Sequence, residues 1–372
     1  MSAVGLLFIA SVSFCLSYLA VLATRWTGSL RNDMRAVQAM HLHVTSRFGG
    51  IAIFLSFGVF IFLFAGTSQD LVVRNLACAL PILFVGLAED AGWHVAPRWR
   101  LLAAAMSSLL IIQVTGFTIE RFGVPVLDLV LTVPVLSVAL TVLVVSGVTH
   151  AFNLVDGMHG LCGFTSLIIA VALVLIEKQG ARADFGLALI PLVAGLIGFL
   201  LLNFPRGILF LGDAGATGMG FILAASGVEM MSLLPNLSPW SLVLVFFWPI
   251  ADMLLTIGRR MGRRRPAMRP DRMHFHHVVM RAFEILVLRK KNRAVSNPAA
   301  TLILLPLIAT PSALGVVLWN HNLLAFEASL FFGLVFVGTY RAVVGLAKRH
   351  GNVGLLGRRA GRELARGPYN EI

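Results

Sequence analysis

Charge is scarce in this sequence. Asp, Glu, Lys and Arg supply 13% of its 372 residues, hydrophobic residues supply 58%, and the mean hydropathy is +0.87. A soluble domain carries about 25% charged residues, so a water-soluble fold is excluded. Cysteine is nearly absent. Cys15, Cys78 and Cys162 lie far apart, which excludes a disulfide framework or a cysteine metal site and leaves them as small packing residues. The alternating segments of about ten residues that build a spanning β-barrel do not occur. Neither does a glycine-rich phosphate loop closed by Lys-Ser or Lys-Thr, nor a Gly-x-Ser-x-Gly nucleophile elbow. Acids are outnumbered, 17 against 30 Lys and Arg, for a net charge of +13. In a soluble chain that excess points to nucleic acid. In a membrane chain the retention of basic loops on the inner side accounts for it, so no nucleic-acid partner is expected.

What is abundant is apolar sequence in runs of the length a helix needs to cross about 30 Å of hydrocarbon. The reading is an all-α, polytopic integral membrane protein with about eleven transmembrane helices. They are placed at Val4–Ala23, Gly49–Ala65, Leu71–Ala88, Leu101–Gly116, Val126–Ser146, Leu161–Ile176, Phe185–Leu202, Gly215–Met231, Ser241–Ile257, Ala299–Trp319 and Ala328–Leu346. No Lys or Arg precedes the first run, whereas Arg25, Arg31, Arg35 and Arg47 follow it. A cleaved secretory signal carries its positive charge first, so a retained helix is expected, with the N-terminus outside and the C-terminus inside. The inner loops are then 25–48, 89–100, 147–160, 203–214 and 258–298, within one integral domain spanning 1–346, and residues 347–372 form a basic inner tail. All of the 30 Lys and Arg except Arg74, Arg121, Lys178 and Arg182 fall at inner ends or loops, as the positive-inside bias requires.

The densest charge lies between Arg259 and Arg281, where arginines and three histidines flank a lone acid, Asp271. Four acidic motifs share its face: Glu89-Asp90, Asp156 in Asn153-Leu-Val-Asp-Gly-Met-His159-Gly160, Asp213 in Phe210-Leu-Gly-Asp-Ala-Gly215, and Asp271 in Pro270-Asp-Arg-Met-His274-Phe-His276-His277. A hard cation such as Mg²⁺ takes one or two carboxylates and leaves its other positions to water and phosphate, while guanidiniums hold phosphate oxygens. Carboxylates and arginines gathered at one face therefore suit a metal-bound diphosphate. Each group also has a structural reading. Glu89-Asp90 can end a helix, Asp213 can cap one, Asp156 can orient its loop, and Asp252 can pair with Arg259 and Arg260. His274, His276 and His277 can be solvated loop residues, and His41, His43, His94 and His150 interfacial ones.

Taken in order, these motifs resemble the polyprenyl-phosphate N-acetylhexosamine-1-phosphate transferases, the MraY–WecA-like glycosyltransferase 4 group. The resemblance runs from about His43 to Arg281. It is carried by His43-Val-Thr-Ser-Arg-Phe-Gly-Gly50, Glu89-Asp90 with Pro97-Arg-Trp-Arg100, the Asn153–Gly160 and Asn203–Gly215 segments, Trp248-Pro-Ile-Ala-Asp252 and Arg269–His277. The WecA-like sugar branch fits better than MraY, whose three consecutive histidines followed by an acid are missing.

The resemblance implies a phosphoglycosyltransferase of the bacterial inner membrane with its site facing the cytoplasm. Such an enzyme moves an amino-sugar-1-phosphate from a UDP-sugar, UDP-GlcNAc or a relative, to undecaprenyl phosphate and releases UMP. The product initiates a cell-envelope polysaccharide such as an O-antigen. By the same resemblance, Asp213 and Asn153 are the metal ligands, for Mg²⁺ or Mn²⁺, and Asp90, Asp156 and Glu89 are catalytic. Asn203 is expected at the nucleotide, and Arg272, His274, His276 and His277 at the sugar and diphosphate. Membrane lipid is a further partner, and a homodimer is compatible. Two positions depart from the family: Glu89 replaces the usual Asp, and His159 replaces an acid that a neutral imidazole cannot match as a hard-metal ligand. Two other functions share part of this reading. A transporter or flippase places its site near the midplane at repeated broken helices, unlike acids gathered at one face. A catalytically impaired relative that binds lipid phosphate is favoured by His159 alone.

Overall fold

The computed structural model describes residues 3–27, 45–63, 69–180, 186–261 and 273–351. Among them the chain is helical, with isolated bridges in place of strands. The helices are α1 (Ala3–Thr27), α2 (Gly49–Leu63), α3 (Gln69–Asp90), α4 (Pro97–Thr115), α5 (Pro125–Leu131), α6 (Pro134–Val155), α7 (Leu161–Gln179), α8 (Gly186–Asn203), α9 (Gly212–Leu233), α10 (Pro239–Val245), α11 (Phe247–Met261), α12 (Phe275–Phe283), α13 (Arg293–Val317) and α14 (Asn322–Gly351). A π-helical turn, Glu284–Leu288, extends α12.

Within the described residues, every apolar stretch picked out in the sequence falls largely on helix, but two are broken. The stretch Val126–Ser146 divides into α5 and α6 because Pro134 disfavours helical geometry at the residue before it. Val133 is accordingly extended, with φ −81° and ψ 113°. The stretch Ser241–Ile257 divides at Phe246, and α10 and α11 meet at 82°. Pro249 lies three residues on. It has no N–H for the Val245 carbonyl, and its ring crowds that oxygen.

Among the described residues, six helices are long and apolar enough to cross a membrane: α1, α6, α7, α9, α13 and α14. Counting the bent pair as one span adds a seventh. Shorter apolar helices accompany them, in α2 and α8. The protein is thus a polytopic helical membrane protein. Large apolar side chains such as Leu7, Leu143, Leu330 and Leu334 stay exposed on its outer helices, the surface that lipid would cover.

At the centre stands α9, buried at every residue from Ala214 to Met231 and packed by α2, α3, α4, α6 and α7. Its sequence is rich in Gly and Ala. Small residues let helix backbones approach where apolar burial gives no driving force between helices. The closest approach is between α2 and α9. A Cβ on Gly50 would lie 2.0 Å from the Cα of Gly215 and 2.9 Å from the Leu211 carbonyl oxygen.

Both ends of α9 are closed by groups from other elements. At its C-terminal end Arg121 donates through one guanidinium nitrogen to the carbonyls of Met231, Leu234 and Leu237, at 2.9–3.0 Å. A cation there complements the negative end of the helix dipole. One turn inside this end, buried Glu229 is paired with Arg74 of α3.

Replacing Gly50 with Ala puts a methyl into backbone that cannot yield without moving a helix. The expected cost is roughly 1–3 kcal/mol, read as a lower unfolding midpoint of the protein in detergent micelles. An unchanged midpoint would mean that α2 can draw back from α9 freely.

Candidate functional site

The N-terminal end of α9 is where the acidic motifs meet. Its first residue, Gly212, has φ +76°, and a Cβ there would lie 2.0 Å from the Arg47 carbonyl oxygen and 2.7 Å from an Asp90 carboxylate oxygen. Only glycine suits both the left-handed backbone and that crowding. The helix therefore begins with backbone N–H groups that have no partner of their own, and two carboxylates from other helices fill the need. Asp90, the last residue of α3, accepts from Asp213 N and Ala214 N, each at 2.9 Å. Asp156, just past α6, accepts from Gly212 N at 3.1 Å.

Anions at a helix N-terminus are stabilised by its dipole. Here the anions are the protein's own, so these amides are already engaged by carboxylate. Burial pushes the Asp156 carboxyl up to about 7, with Asp213 adding to the rise and Arg47 and the Gly212 amide opposing it.

Asp213, the second residue of α9, is held differently. Its Oδ1 accepts from Asn153 Nδ2 at 2.6 Å, and its Oδ2 lies 3.6 Å from Arg100. Arg100 also lies 3.8 Å from Glu89, whose other oxygen accepts from Val95 N at 2.8 Å. Glu89 thus fixes the turn into α4 while sharing an arginine with Asp213. On α6, one turn before Asn153, His150 has a buried Nε2 with no hydrogen-bond partner among the described residues. His150 and Arg100 belong to this cluster although the sequence reading gave neither a role there. The available signal was the three-residue spacing from His150 to Asn153, which puts both on one helix face.

Two backbone segments frame the cluster. Phe210 N donates to Ser46 O at 2.8 Å, and Gly49 N and Gly50 N donate to Phe210 O and Leu211 O at 3.0 and 2.9 Å. This zip carries Arg47 to the acids. His43, in the same motif, lies outside the described residues.

Asn203 departs from expectation. It is buried, its Oδ1 accepts from Gly160 N at 2.7 Å, and its amide donates to Leu209 O. With both polar ends spent on backbone it ties two loops together. The histidines depart too. His274, His276 and His277 are no more than 4% exposed. His274 and His276 flank Asp252, which accepts from His274 Nδ1 at 3.1 Å and Phe275 N at 2.9 Å, with His276 Nδ1 at 3.5 Å, and the His277 ring packs against both imidazoles. A buried carboxylate needs such partners, so they anchor α12 to α11 and are not solvated. Asp252, expected to pair with the arginines ending α11, is held by histidine. Arg259 donates to Met273 O at 2.6 Å and to the Tyr340 hydroxyl at 2.8 Å. Arg272 and Asp271 lie outside the described residues.

Among the described residues, no three His, Cys, Asp or Glu side chains converge as a ready metal cage. The Asp213–Asn153 pair offers oxygen donors only. Such a set suits a hard cation that keeps most of its shell for water and phosphate, with Arg100 alongside for phosphate oxygens.

Residues 72–231 match the profile of glycosyl transferase family 4. The chain is 25% identical over 251 residues to the probable undecaprenyl-phosphate N-acetylglucosaminyl 1-phosphate transferase of Bacillus subtilis, covering 67% of this chain and 69% of that one. It is 28% identical over 305 residues to the decaprenyl-phosphate N-acetylglucosaminephosphotransferase of Mycobacterium leprae, with 72% and 76% covered. Over 244 residues it is 28% identical to the undecaprenyl-phosphate alpha-N-acetylglucosaminyl 1-phosphate transferase of Yersinia pestis, with 63% and 65% covered.

Burial lowers the affinity of His276 and His277 for protons, and Asp252 only partly offsets this. A histidine whose folded value lies below the ordinary 6.5 contributes stability that is present above that pH and lost as pH falls. Asp156, whose carboxyl is raised, titrates with the opposite sign over the same range, so the check is a difference: between about pH 7.5 and 5.5 the histidine share of the stability is lost, and the midpoint of His277→Gln should fall less, or rise more, than that of the unmodified protein. An equal slope in the variant would exclude His277 as the source.

Proposed function

We propose that the chain is a polyprenyl-phosphate member of glycosyl transferase family 4; the match of residues 72–231 to that family and the likeness to polyprenyl-phosphate N-acetylglucosamine phosphotransferases support the reading. The protein transfers an N-acetylated amino-sugar-1-phosphate to a polyprenyl phosphate. The donor is a UDP-amino sugar. An oxygen of the lipid phosphate forms a new bond to the sugar-bearing phosphorus, the bond from that phosphorus to the bridging oxygen breaks, and UMP leaves with the bridging oxygen. The protein supplies position and charge, which is most of what phosphoryl transfer asks of it.

One observation carries this reading. The N-terminal turn of α9 brings Asp213 to Asn153 and Arg100, with Asp90 and Asp156 locked behind it. Asp213 and Asn153 fit a magnesium ion by donor chemistry, and when bound the ion neutralises charge on the diphosphate. Arg100 and Arg47 hold phosphate oxygens. Asp156, which spends one oxygen on Gly212 N, is suited to take a proton from the incoming lipid phosphate, and Asp90 fixes the amides that set the position of Asp213. Arg272 is assigned to the sugar and diphosphate by its motif, and the buried histidines anchor the segment that follows it.

The remaining expectations complete the proposal: eleven crossings with the N-terminus outside, residence in a bacterial inner membrane, and a site open to the cytoplasm. A lipid-tailed acceptor and a soluble nucleotide sugar can meet only at a membrane face. The sequence motifs gather at one such end of the bundle.

The test is UMP release by the protein in micelles with UDP-GlcNAc, undecaprenyl phosphate and Mg²⁺. Chelation should abolish turnover and added Mg²⁺ should restore it. Asp213→Asn should lower turnover by roughly 100-fold or more, and Arg100→Ala should lower it while raising KM for the nucleotide sugar. Near-normal turnover of Asp213→Asn at low Mg²⁺ would reject the ligand role. Absence of UMP release with every UDP-amino sugar would reject the reaction.

A further inference from the structure

We propose that the polar first turns of α13 act as a clamp on the 156–160 loop, exerted through His159, with Asn297 and Thr301 as positioning residues. The turnover arm of this proposal rests on the reaction proposed above. The geometry does not.

Three bonds define the clamp. His159 N donates to Asn297 Oδ1 at 2.8 Å. Thr301 Oγ1 donates to His159 O at 2.8 Å. His159 Nδ1 lies 2.7 Å from the Pro205 carbonyl oxygen. Asn297 and Thr301 are one turn apart on α13 and fully buried. Together they take up both backbone polar groups of His159. The imidazole then spans to the 203–210 turn, where Phe210 meets it edge-on with ring centroids 5.9 Å apart and a Cβ on Gly207 would lie 2.4 Å from its Nε2. The Nδ1–H tautomer is the one that can donate to a carbonyl.

The loop so gripped carries Asp156 at one end and Gly160 at the other. Asp156 binds the first amide of α9, and Gly160 N binds Asn203. Fixing His159 therefore fixes the register between α6, the 203–210 turn and the start of α9, which sets where Asp213 stands. An imidazole spent this way is a strut and not a metal ligand, which gives the substitution at this position a physical purpose. Asn297 Nδ2 is buried without a partner among the described residues. Leaving such an amide half-satisfied is costly, yet the residue delivers its acceptor to His159. Residues 293–317 lie outside the stretch that matches the family profile, so the clamp is a contribution of this chain's C-terminal part to a site built elsewhere.

The experiment compares Thr301→Val, which keeps shape and removes the donor, with Thr301→Ser, which keeps the donor. Hydrogen–deuterium exchange over residues 153–165 and steady-state kinetics are measured on the whole protein in micelles. Thr301→Val should exchange at least five-fold faster in that segment. Its kcat should fall about five- to twenty-fold, an effect the size of one lost buried hydrogen bond, while KM for the nucleotide sugar stays within two-fold. Thr301→Ser should restore exchange and kcat to within two-fold of the unmodified protein. Unchanged exchange in Thr301→Val, or failure of Ser to rescue, would overturn the clamp. If the exchange results hold but the unmodified protein releases no UMP, the clamp stands and the proposed reaction falls.

Discussion

A single helix whose ends are finished by other helices is the constraint on which this structure depends. A membrane interior offers no water to an unpaired backbone group, so each one must find a partner within the protein. The helix α9 is buried along nearly its whole length, and neither terminus is capped by its own side chains. Asp90 and Asp156 close the positive end, and Arg121 closes the negative end. Each charge has the sign the helix dipole favours. Crowding around Gly50 and Gly212 follows from the same demand, because carboxylates from α3 and α6 reach those amides only if the backbones lie nearly in contact.

This arrangement divides labour among acids that look alike in the sequence. Asp90 and Asp156 spend oxygens on backbone amides, and Asp213 faces Asn153 and Arg100. The capping pair makes Asp213 precise in position, since the amide of Asp213 is itself one of those held by Asp90. Positional precision is what the phosphoryl transfer proposed above would need, because small displacements of a charge from a reacting phosphorus cost large factors in rate. The buried Asp252 with its histidines does the same at one remove, tying α12 to α11.

Much of this was legible before any coordinates. Helices were readable because apolar runs of spanning length have few alternatives. The convergence of Glu89-Asp90, Asp156 and Asp213 was readable because alternating spans put all of them on one face. The breaks at Phe246 and before Pro134 were hidden. The prolines were visible, but the continuous hydropathy around them outweighed their local geometry. Capping across helices was hidden for a deeper reason: which carboxylate meets which helix end depends on packing and not on spacing along the chain. The same holds for His274 and His276, whose partner Asp252 lies 22 residues earlier for the first of them, and for Asn203, whose amide looked free until its loop was folded. His159 read as a lost metal ligand because its tie to α13 spans 138 residues.

The order of capping groups along the chain bears on biogenesis. Asp90, Asp156 and Arg121 all precede α9 in the sequence. The helix is also the least apolar of the six that are long enough to cross, at a mean hydropathy of 1.3. During synthesis it would leave the ribosome after its partners, and those partners offset the poor lipid solubility of a glycine-rich segment carrying Glu229. A ribosome that has passed Leu233 has already made every side chain that finishes α9. The central pillar can therefore be seated before the C-terminal helices exist, and the later arrival of α13 secures a centre that is already in place.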